Sequence, residues 1–462
     1  MFDQLRTGIL SGSFPAGTRL PPTRALAEEL SLARQTIVLA YERLAAEGYV
    51  RARAGSGTYV TTDLPDASPA PASLPPNAAI ALSRRGAALA RIPATANGGD
   101  LPPLSLLTAG VPASDLFPIA AWLRCTARAL KRFDSDLAAY PPPQGLPRLR
   151  LQIAAHLAAT RGLIADPACI VITSGTQQAL RLAAELLLDP GDTAWVEDPG
   201  YIAGRGALIS AGVVTVPVPS DEEGLDIAAG IRIAPDARLV LVAPSHATPL
   251  GGALPIGRRL ALLDWASRAN AWILEDDCDS EFRWEGRPLP PLASLDRAGR
   301  VIYCGTLSKT LAPALRLGFM VVPMPLVDAF VRLHALMDRG TSALTQAVLA
   351  EFMQDGLLAP HIRRMRTEYA HRRTALLAAM ARHAPNLTPI APPGGLHLVA
   401  LLPPEANEAE TVRACHAREL AVAPLAAYYA GVPRRSGLVM GFSGLPVALA
   451  GDTARRLGVA VR

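Results

Sequence analysis

Apolar residues recur at helical spacing through the first 48 positions and then give way to strand-like alternation. Asp3 to Leu10 predicts a first helix, Gly17-Thr-Arg-Leu-Pro-Pro breaks the chain, and a second helix is expected from Thr23 to Leu30. Ser31 is the expected N-cap of a third helix, in which Ile37, Ala40, Tyr41 and Leu44 share one buried face at i, i+3, i+4 and i+7. Gly48 stops that helix, and Tyr49 to Val60, with Gly55 and Gly57 at the tip, reads as a β-hairpin. From Asp63 to about Pro103 the pattern lapses. Leu-Pro-Asp, Ser-Pro-Ala-Pro-Ala and Leu-Pro-Pro-Asn, with few aromatics, predict an extended linker there. Beyond Leu104 short β-branched runs (Ile170 to Thr173, Ala194 to Glu197, Leu239 to Val242, Ala271 to Glu275, Val301 to Cys304) alternate with Ala/Leu-rich segments. That order predicts βαβ units, a largely parallel sheet and an α/β fold. The domains expected are therefore 1–62, a linker over 63–103, and 104–462.

Composition narrows the setting. A chain of 462 residues suits two or three domains. No uninterrupted apolar run reaches the roughly 18 residues of a membrane span. Met1 to Leu10 also lacks the charged start and apolar stretch of a signal peptide, so a cytoplasmic protein without membrane contact is expected. Cys125, Cys169, Cys278, Cys304 and Cys415 form no CxxC pair, which favours reduced thiols and gives no metal motif. The net charge of +5 is small for this length and does not by itself imply nucleic acid.

In residues 1–62 seven arginines face five acids, 7 − 5 = +2, and position matters more than this balance. Arg34, Gln35 and Thr36 stand at the open start of the third helix, where a helix-turn-helix meets base edges in the major groove. Arg24, Arg51 and Arg53 fall at another helix start and in the hairpin, placed for phosphate. A small three-helix packing module with solvated arginines has the same pattern. The motifs Gly17-Thr-Arg-Leu-Pro-Pro-Thr-Arg-Ala-Leu-Ala-Glu-Glu-Leu, Arg34-Gln-Thr-Ile, Ala40-Tyr-Glu-Arg-Leu and Gly55-Ser-Gly-Thr-Tyr-Val closely resemble the winged helix of GntR-type regulators. The resemblance implies binding to a double-stranded DNA operator, with Arg24, Arg34 and Thr36 as contacts and Ser56 and Gly57 at the wing.

The chain has only two lysines, Lys131 and Lys309, so any chemistry needing a side-chain amine has two candidates. Lys131 reads as an exposed helix position. Lys309 follows a strand in Thr306-Leu-Ser-Lys-Thr, with Arg316 seven residues on, an arrangement suited to a Schiff-base lysine beside a phosphate site. Glu275-Asp-Asp-Cys-Asp lies at a strand's C-terminal end, where a carboxylate could meet a pyridine nitrogen, although metal sites and solvated loops also use such clusters. Ser174-Gly-Thr opens a helix as a phosphate cradle, a weak signal alone. Asp198-Pro-Gly-Tyr offers an aromatic for a flat ring or for core packing.

In this order, from Tyr140-Pro-Pro-Pro-Gln-Gly through Pro199-Gly-Tyr, Pro244-Ser-His, Glu275-Asp-Asp, Ser308-Lys, His361-Ile-Arg-Arg-Met-Arg, Gly394-Gly-Leu-His and Met440-Gly-Phe, these segments resemble fold-type I aminotransferases. Behind a GntR-type reader, they resemble the MocR/GabR-like regulators in particular. The resemblance implies a pyridoxal 5'-phosphate-binding domain with a smaller C-terminal α/β subdomain over about 350–462. Lys309 would form the internal aldimine and Asp276 would pair with the pyridine nitrogen. Gly175, Thr176, Thr306 and Arg316 would hold the phosphate, Tyr201 would stack on the ring, His246 would join the cofactor contacts, and Tyr140 would reach the partner subunit's phosphate. Two positions depart from the family: Cys278 stands where a tyrosine would meet the ring oxygen, and Val439 where an arginine would clamp a carboxylate. Arg434 and Arg435 lie just upstream of the second.

The expected function is a cofactor-dependent transcription regulator that senses pyridoxal phosphate, or an amine or amino acid captured by it. An active aminotransferase with an accessory DNA-binding domain, and a DNA-binding protein whose large domain only dimerises, are the alternatives. Cys278 and Val439 argue for weak or half transamination at most. A domain-swapped homodimer on a repeated or palindromic site is implied by the family.

Overall fold

In the computed structural model, residues 1–64, 82–92, 102, 105–132, 137–284, 289–392 and 394–461 are described. Most of the linker expected over 63–103 lies outside them. The chain divides into two compact units, Met1–Ala81 and Leu82–Arg462.

The first unit carries three helices, α1 (Phe2–Leu10), α2 (Thr23–Glu29) and α3 (Arg34–Ala46), followed by strands β1 (Val50–Arg53) and β2 (Gly57–Val60). Ile37, Ala40, Tyr41 and Leu44 form the buried face of α3, packed with Leu5, Ile9, Leu20 and Leu26. The Tyr41 hydroxyl donates to the Pro21 carbonyl at 2.9 Å, tying α3 to the Pro-Pro break. One expectation is corrected. Ser31 does not cap α3, which starts at Arg34 behind Ala33. Ser31 adopts φ 53° and its N–H, with that of Leu32, bonds the Glu28 and Ala27 carbonyls, so this left-handed turn closes α2 instead. β1 and β2 pair antiparallel with Arg53 opposite Gly57, and Leu20 N–H to Thr58 O at 2.9 Å fastens the hairpin to the helical body.

The second unit opens with a helix the hydrophobic pattern missed, Arg84–Ala90, capped by Ser83 Oγ accepting from Gly86 N at 3.0 Å and packed on the helix Ile202–Ser210. Its centre is an eight-stranded sheet in the order β3-β10-β9-β8-β7-β4-β5-β6. These strands are β3 (Ile170–Thr173), β4 (Thr193–Asp198), β5 (Val214–Asp221), β6 (Gly224–Leu225), β7 (Leu239–Val242), β8 (Trp272–Asp277), β9 (Val301–Thr306) and β10 (Gly318–Val321). β9, β8, β7, β4 and β5 run parallel, as the βαβ order predicts, while β10 enters antiparallel between β3 and β9. The fully buried run of β7 and the apolar residues that helices lay over both faces are what a parallel sheet requires. A smaller antiparallel sheet follows, β11 (Thr388–Ile390), β12 (His397–Leu401), β13 (Ala423–Pro424) and β14 (Gly437–Gly441), in the order β11-β12-β14-β13. Helices Leu358–His383 and Ala450–Ala460 pack beside it over a shared core. Among the described residues no helix is long and apolar enough to cross a membrane.

Candidate functional site

On the first unit Arg34, Gln35 and Thr36 are all exposed at the start of α3, one turn before the face that anchors the helix. Arg24 is exposed on α2 and forms an i,i+4 pair with Glu28 at 3.4 Å. In the hairpin Ser56 Oγ and the Tyr59 hydroxyl lie 2.7 Å apart, and the Arg53 guanidinium sits over the Tyr59 ring at 4.9 Å. Two basic, hydrogen-bonding edges therefore stand on a small rigid body.

On the second unit the candidates gather at the carboxyl ends of the parallel strands, where open α/β sheets hold ligands. β3 ends at Thr173 and β9 at Thr306, and the first residue of β10, Gly318, pairs with both. The approach there leaves no room for a side chain, since a Cβ on Gly318 would lie 2.8 Å from the Gly175 Cα. Arg316 makes the preceding left-handed turn at φ 48° and lays its guanidinium against Gly175, where a Cβ would meet Nη2 at 3.1 Å. Gly175, itself at φ 110°, is the N-cap of the helix Thr176–Leu187. A helix N-terminus, an arginine and the Thr306 hydroxyl thus surround one small space, the arrangement that favours an anion. Ser308 N–H donates to Thr306 Oγ1 at 3.1 Å and fixes that side chain.

Lys309 follows in the same turn, and its Nζ donates to the Gly110 carbonyl at 2.8 Å. Gly110 sits at φ 74°, a left-handed conformation that favours glycine, and a Cβ there would stand 2.6 Å from Nζ and displace it.

Strand alternation sorts the acidic run of β8. Glu275 accepts from the amides of Leu292 and Ala293 at 2.8 and 2.9 Å, and so supports a neighbouring helix. Asp277 accepts from Arg161 Nε at 2.8 Å and from the Tyr303 hydroxyl at 2.5 Å. Asp276, between them, is buried, with Oδ1 lacking a hydrogen bond among the described residues. Burial first, then Asp277 and Asp279, push its carboxyl up to about 7, against the opposing pull of Lys309. Cys278 follows, its thiol pushed well up by burial and by Asp276, a neutral and weak donor. Tyr201 is 36% exposed; burial raises its hydroxyl, Asp276 and Cys278 add to the rise, and Arg316 opposes it, which places the tyrosine in the field of the same groups.

Other residues fall elsewhere. Tyr140 is 77% exposed, with the Arg339 guanidinium over its ring at 5.1 Å. His246 is buried beside His397 and Asp279. Val439 is 1% exposed in an apolar cluster with Ile202, Val399, Ala423 and Tyr428, while Arg434 and Arg435 are exposed. Sequence reasoning missed Gly110, the Arg161–Asp277–Tyr303 network, and Glu197, each of which depends on contacts far apart in the chain. Glu197 accepts from Ala243 N at 3.2 Å, leaves Oε1 unpaired, and is pushed up to about 8 by burial, with Asp276 adding to the rise.

These buried acids set a pH dependence. Above about pH 4.5 an unfolded chain releases protons that folded Glu197, Glu275 and Asp276 keep, so stability falls as pH rises until the folded groups ionise, at about 7 for Glu275 and Asp276 and about 8 for Glu197. The thermal midpoint of the cofactor-free protein is expected to drop from about pH 5 to about pH 8, and Glu197→Gln to flatten part of that drop. An unchanged slope in the variant would remove Glu197 from this account.

Comparison with known proteins places both units. Residues 105–438 match the family described as aminotransferase class I and II, and residues 1–60 match bacterial regulatory proteins of the gntR family. The chain is 40% identical over 446 residues, 96% of its length and 90% of the relative's, to the probable rhizopine catabolism regulatory protein MocR of Rhizobium meliloti. It is 34% identical to the pyridoxine biosynthesis transcriptional regulator PdxR of Corynebacterium glutamicum, over 95% of this chain and 90% of that one. Among solved structures it is similar to the α-aminoadipate aminotransferase LysN of Thermus thermophilus complexed with N-(5'-phosphopyridoxyl)-L-leucine, at a TM-score of 0.74 and 27% identity, covering 81% of this chain and 96% of that one. The chain belongs to the MocR-like transcription regulators, in which a gntR-type helix-turn-helix domain that binds DNA is joined to a domain of the aminotransferase class I and II family.

Proposed function

We propose that this regulator holds pyridoxal 5'-phosphate in its second unit and changes its affinity for DNA when an amine or amino acid reacts there. The observation that carries the reading is the convergence of Lys309, the unpaired Asp276 Oδ1 and the Gly175–Arg316 cradle at the strand ends. The residues fit the cofactor. Asp276 can take a pyridine N–H on its free oxygen, Gly175, Thr176, Thr306 and Arg316 can hold a phosphate, and the part-open Tyr201 can cover a flat ring. Pyridoxal phosphate supplies an aldehyde for amines and an electron-accepting ring. Lys309 supplies the chain's own competing amine, held by the Gly110 carbonyl.

Sensing is favoured over turnover by the apolar packing of Val439, which offers no cation to a carboxylate, and by the weak donor at Cys278. At the first unit Arg24, Arg34, Gln35 and Thr36 are assigned to DNA, with Ser56 and Gly57 at the wing. The exposed ring of Tyr140, together with exposed Ile119 and Leu123 one turn apart on the helix Ile119–Leu130, supports a homodimer in which Tyr140 completes the partner subunit's phosphate site and the readers are exchanged. A cytoplasmic location follows from DNA binding.

The test titrates the cofactor-loaded protein on its upstream DNA with a panel of amines and amino acids. An effector is expected to shift DNA affinity about 5-fold or more, the usual range of allosteric coupling. Sustained keto-acid release with no change in DNA affinity would favour the aminotransferase reading.

A further inference from the structure

Three polar side chains from distant parts of the second unit meet beside the cleft. His246 lies beyond β7, Asp279 beyond β8, and His397 opens β12; one ligand atom of each lies within 4.8 Å of the others. All three are buried, with His246 and Asp279 each only 5% exposed. Buried polar atoms are normally paired. Here His246 Nε2 and Asp279 Oδ1 have no hydrogen-bond partner among the described residues. His397 has its orientation set from outside the cluster. Its Nε2 lies 2.9 Å from the Pro249 carbonyl, and because a carbonyl only accepts, the proton sits on Nε2 and Nδ1 keeps a free lone pair. That is the outer contact by which proteins aim a metal-binding histidine.

We propose that His246, Asp279 and His397 bind one divalent transition-metal ion, zinc by preference, with a further coordination position open to water or to a ligand oxygen. Two imidazoles and one carboxylate match zinc and its neighbours, whereas calcium and magnesium select all-oxygen sites. Arg283 and Lys309 oppose a cation, but at His246 the field of Asp279 exceeds that of Arg283. A cavity of about 10 Å³, lined in part by Ser245, Ser280, Arg283 and Gly394, borders His246 and Asp279. His246, expected among the cofactor contacts, passes by this assignment to the metal, and the cofactor keeps its other residues.

The test uses the full-length, untagged, cofactor-loaded chain, treated with a chelator and titrated with Co2+ as a visible probe of a zinc-type site. One equivalent of Co2+ per chain is expected, with ligand-field bands to the red of the cofactor band and displacement by Zn2+. His397→Ala and Asp279→Asn are each expected to weaken binding at least about tenfold. His371→Ala, which removes an exposed histidine outside the cluster, should leave it unchanged. The cofactor band reports the folding of every variant and separates this proposal from the one above. Wild-type protein with an intact cofactor band and no stoichiometric Co2+ overturns the metal site whatever the variants do. Equal Co2+ binding by folded His397→Ala and Asp279→Asn overturns it too.

Discussion

Lys309→Ala is expected to abolish the visible absorption of the lysine-bound cofactor and, with it, every amine-dependent change in DNA affinity. The effect is large because no other side chain can substitute. The only other lysine, Lys131, is exposed at the far end of the helix Ile119–Leu130. Loss of the covalent anchor leaves phosphate and ring contacts alone, and a loss of about 3 kcal/mol would already raise the cofactor's Kd roughly 150-fold. Lys309→Arg keeps a cation at the Gly110 carbonyl but cannot condense with an aldehyde, so it should lose the band as well. Operator binding without effector serves as the folding control. A band that survives in Lys309→Ala would sink the proposed site.

Arg34→Ala is expected to remove specific operator binding. Arg34 is exposed while α3 is anchored by Ile37, Ala40, Tyr41 and Leu44, so truncation should change stability by no more than about 0.5 kcal/mol. A bidentate base contact is worth about 1–3 kcal/mol, and a dimer on two half-sites loses it twice, about 2–6 kcal/mol, or roughly 30-fold to more than 10,000-fold in affinity. Arg24→Ala, placed for phosphate, should instead weaken all sequences evenly and lower the salt slope by about two, one for each half-site. Anisotropy titrations at several salt concentrations separate the two. Unchanged affinity in Arg34→Ala would refute its assignment to base recognition.

Local pattern carried the first unit well, because a three-helix body with a hairpin is built from contacts near in sequence. Its one error, at Ser31, came from a residue type that serves helix starts yet here occupies a left-handed turn. In the second unit the strands were legible as β-branched runs, and their ends drew attention to Lys309, Asp276 and Arg316. What stayed hidden depends on closure across the fold. Gly110 meets Lys309 across 199 positions, and Arg161 meets Asp277 across 116. The pattern around Arg84–Ala90 was masked by flanking prolines, which announced a linker where Ser83 starts a helix. His246 was visible as a motif residue, but nothing in its spacing pointed to Asp279 or His397.

The antiparallel insertion of β10 has a mechanical meaning. Its first residue is clasped on one side by the end of β3 and on the other by the end of β9, and the anion cradle is made from the loops leaving β3 and β9 and the turn that enters β10. These are the three strands at one edge of the sheet, with β3 outermost, so an occupant of that cradle ties the edge strand to its neighbours. Binding there should stabilise the domain by mass action, so cofactor supply is expected to raise its thermal midpoint.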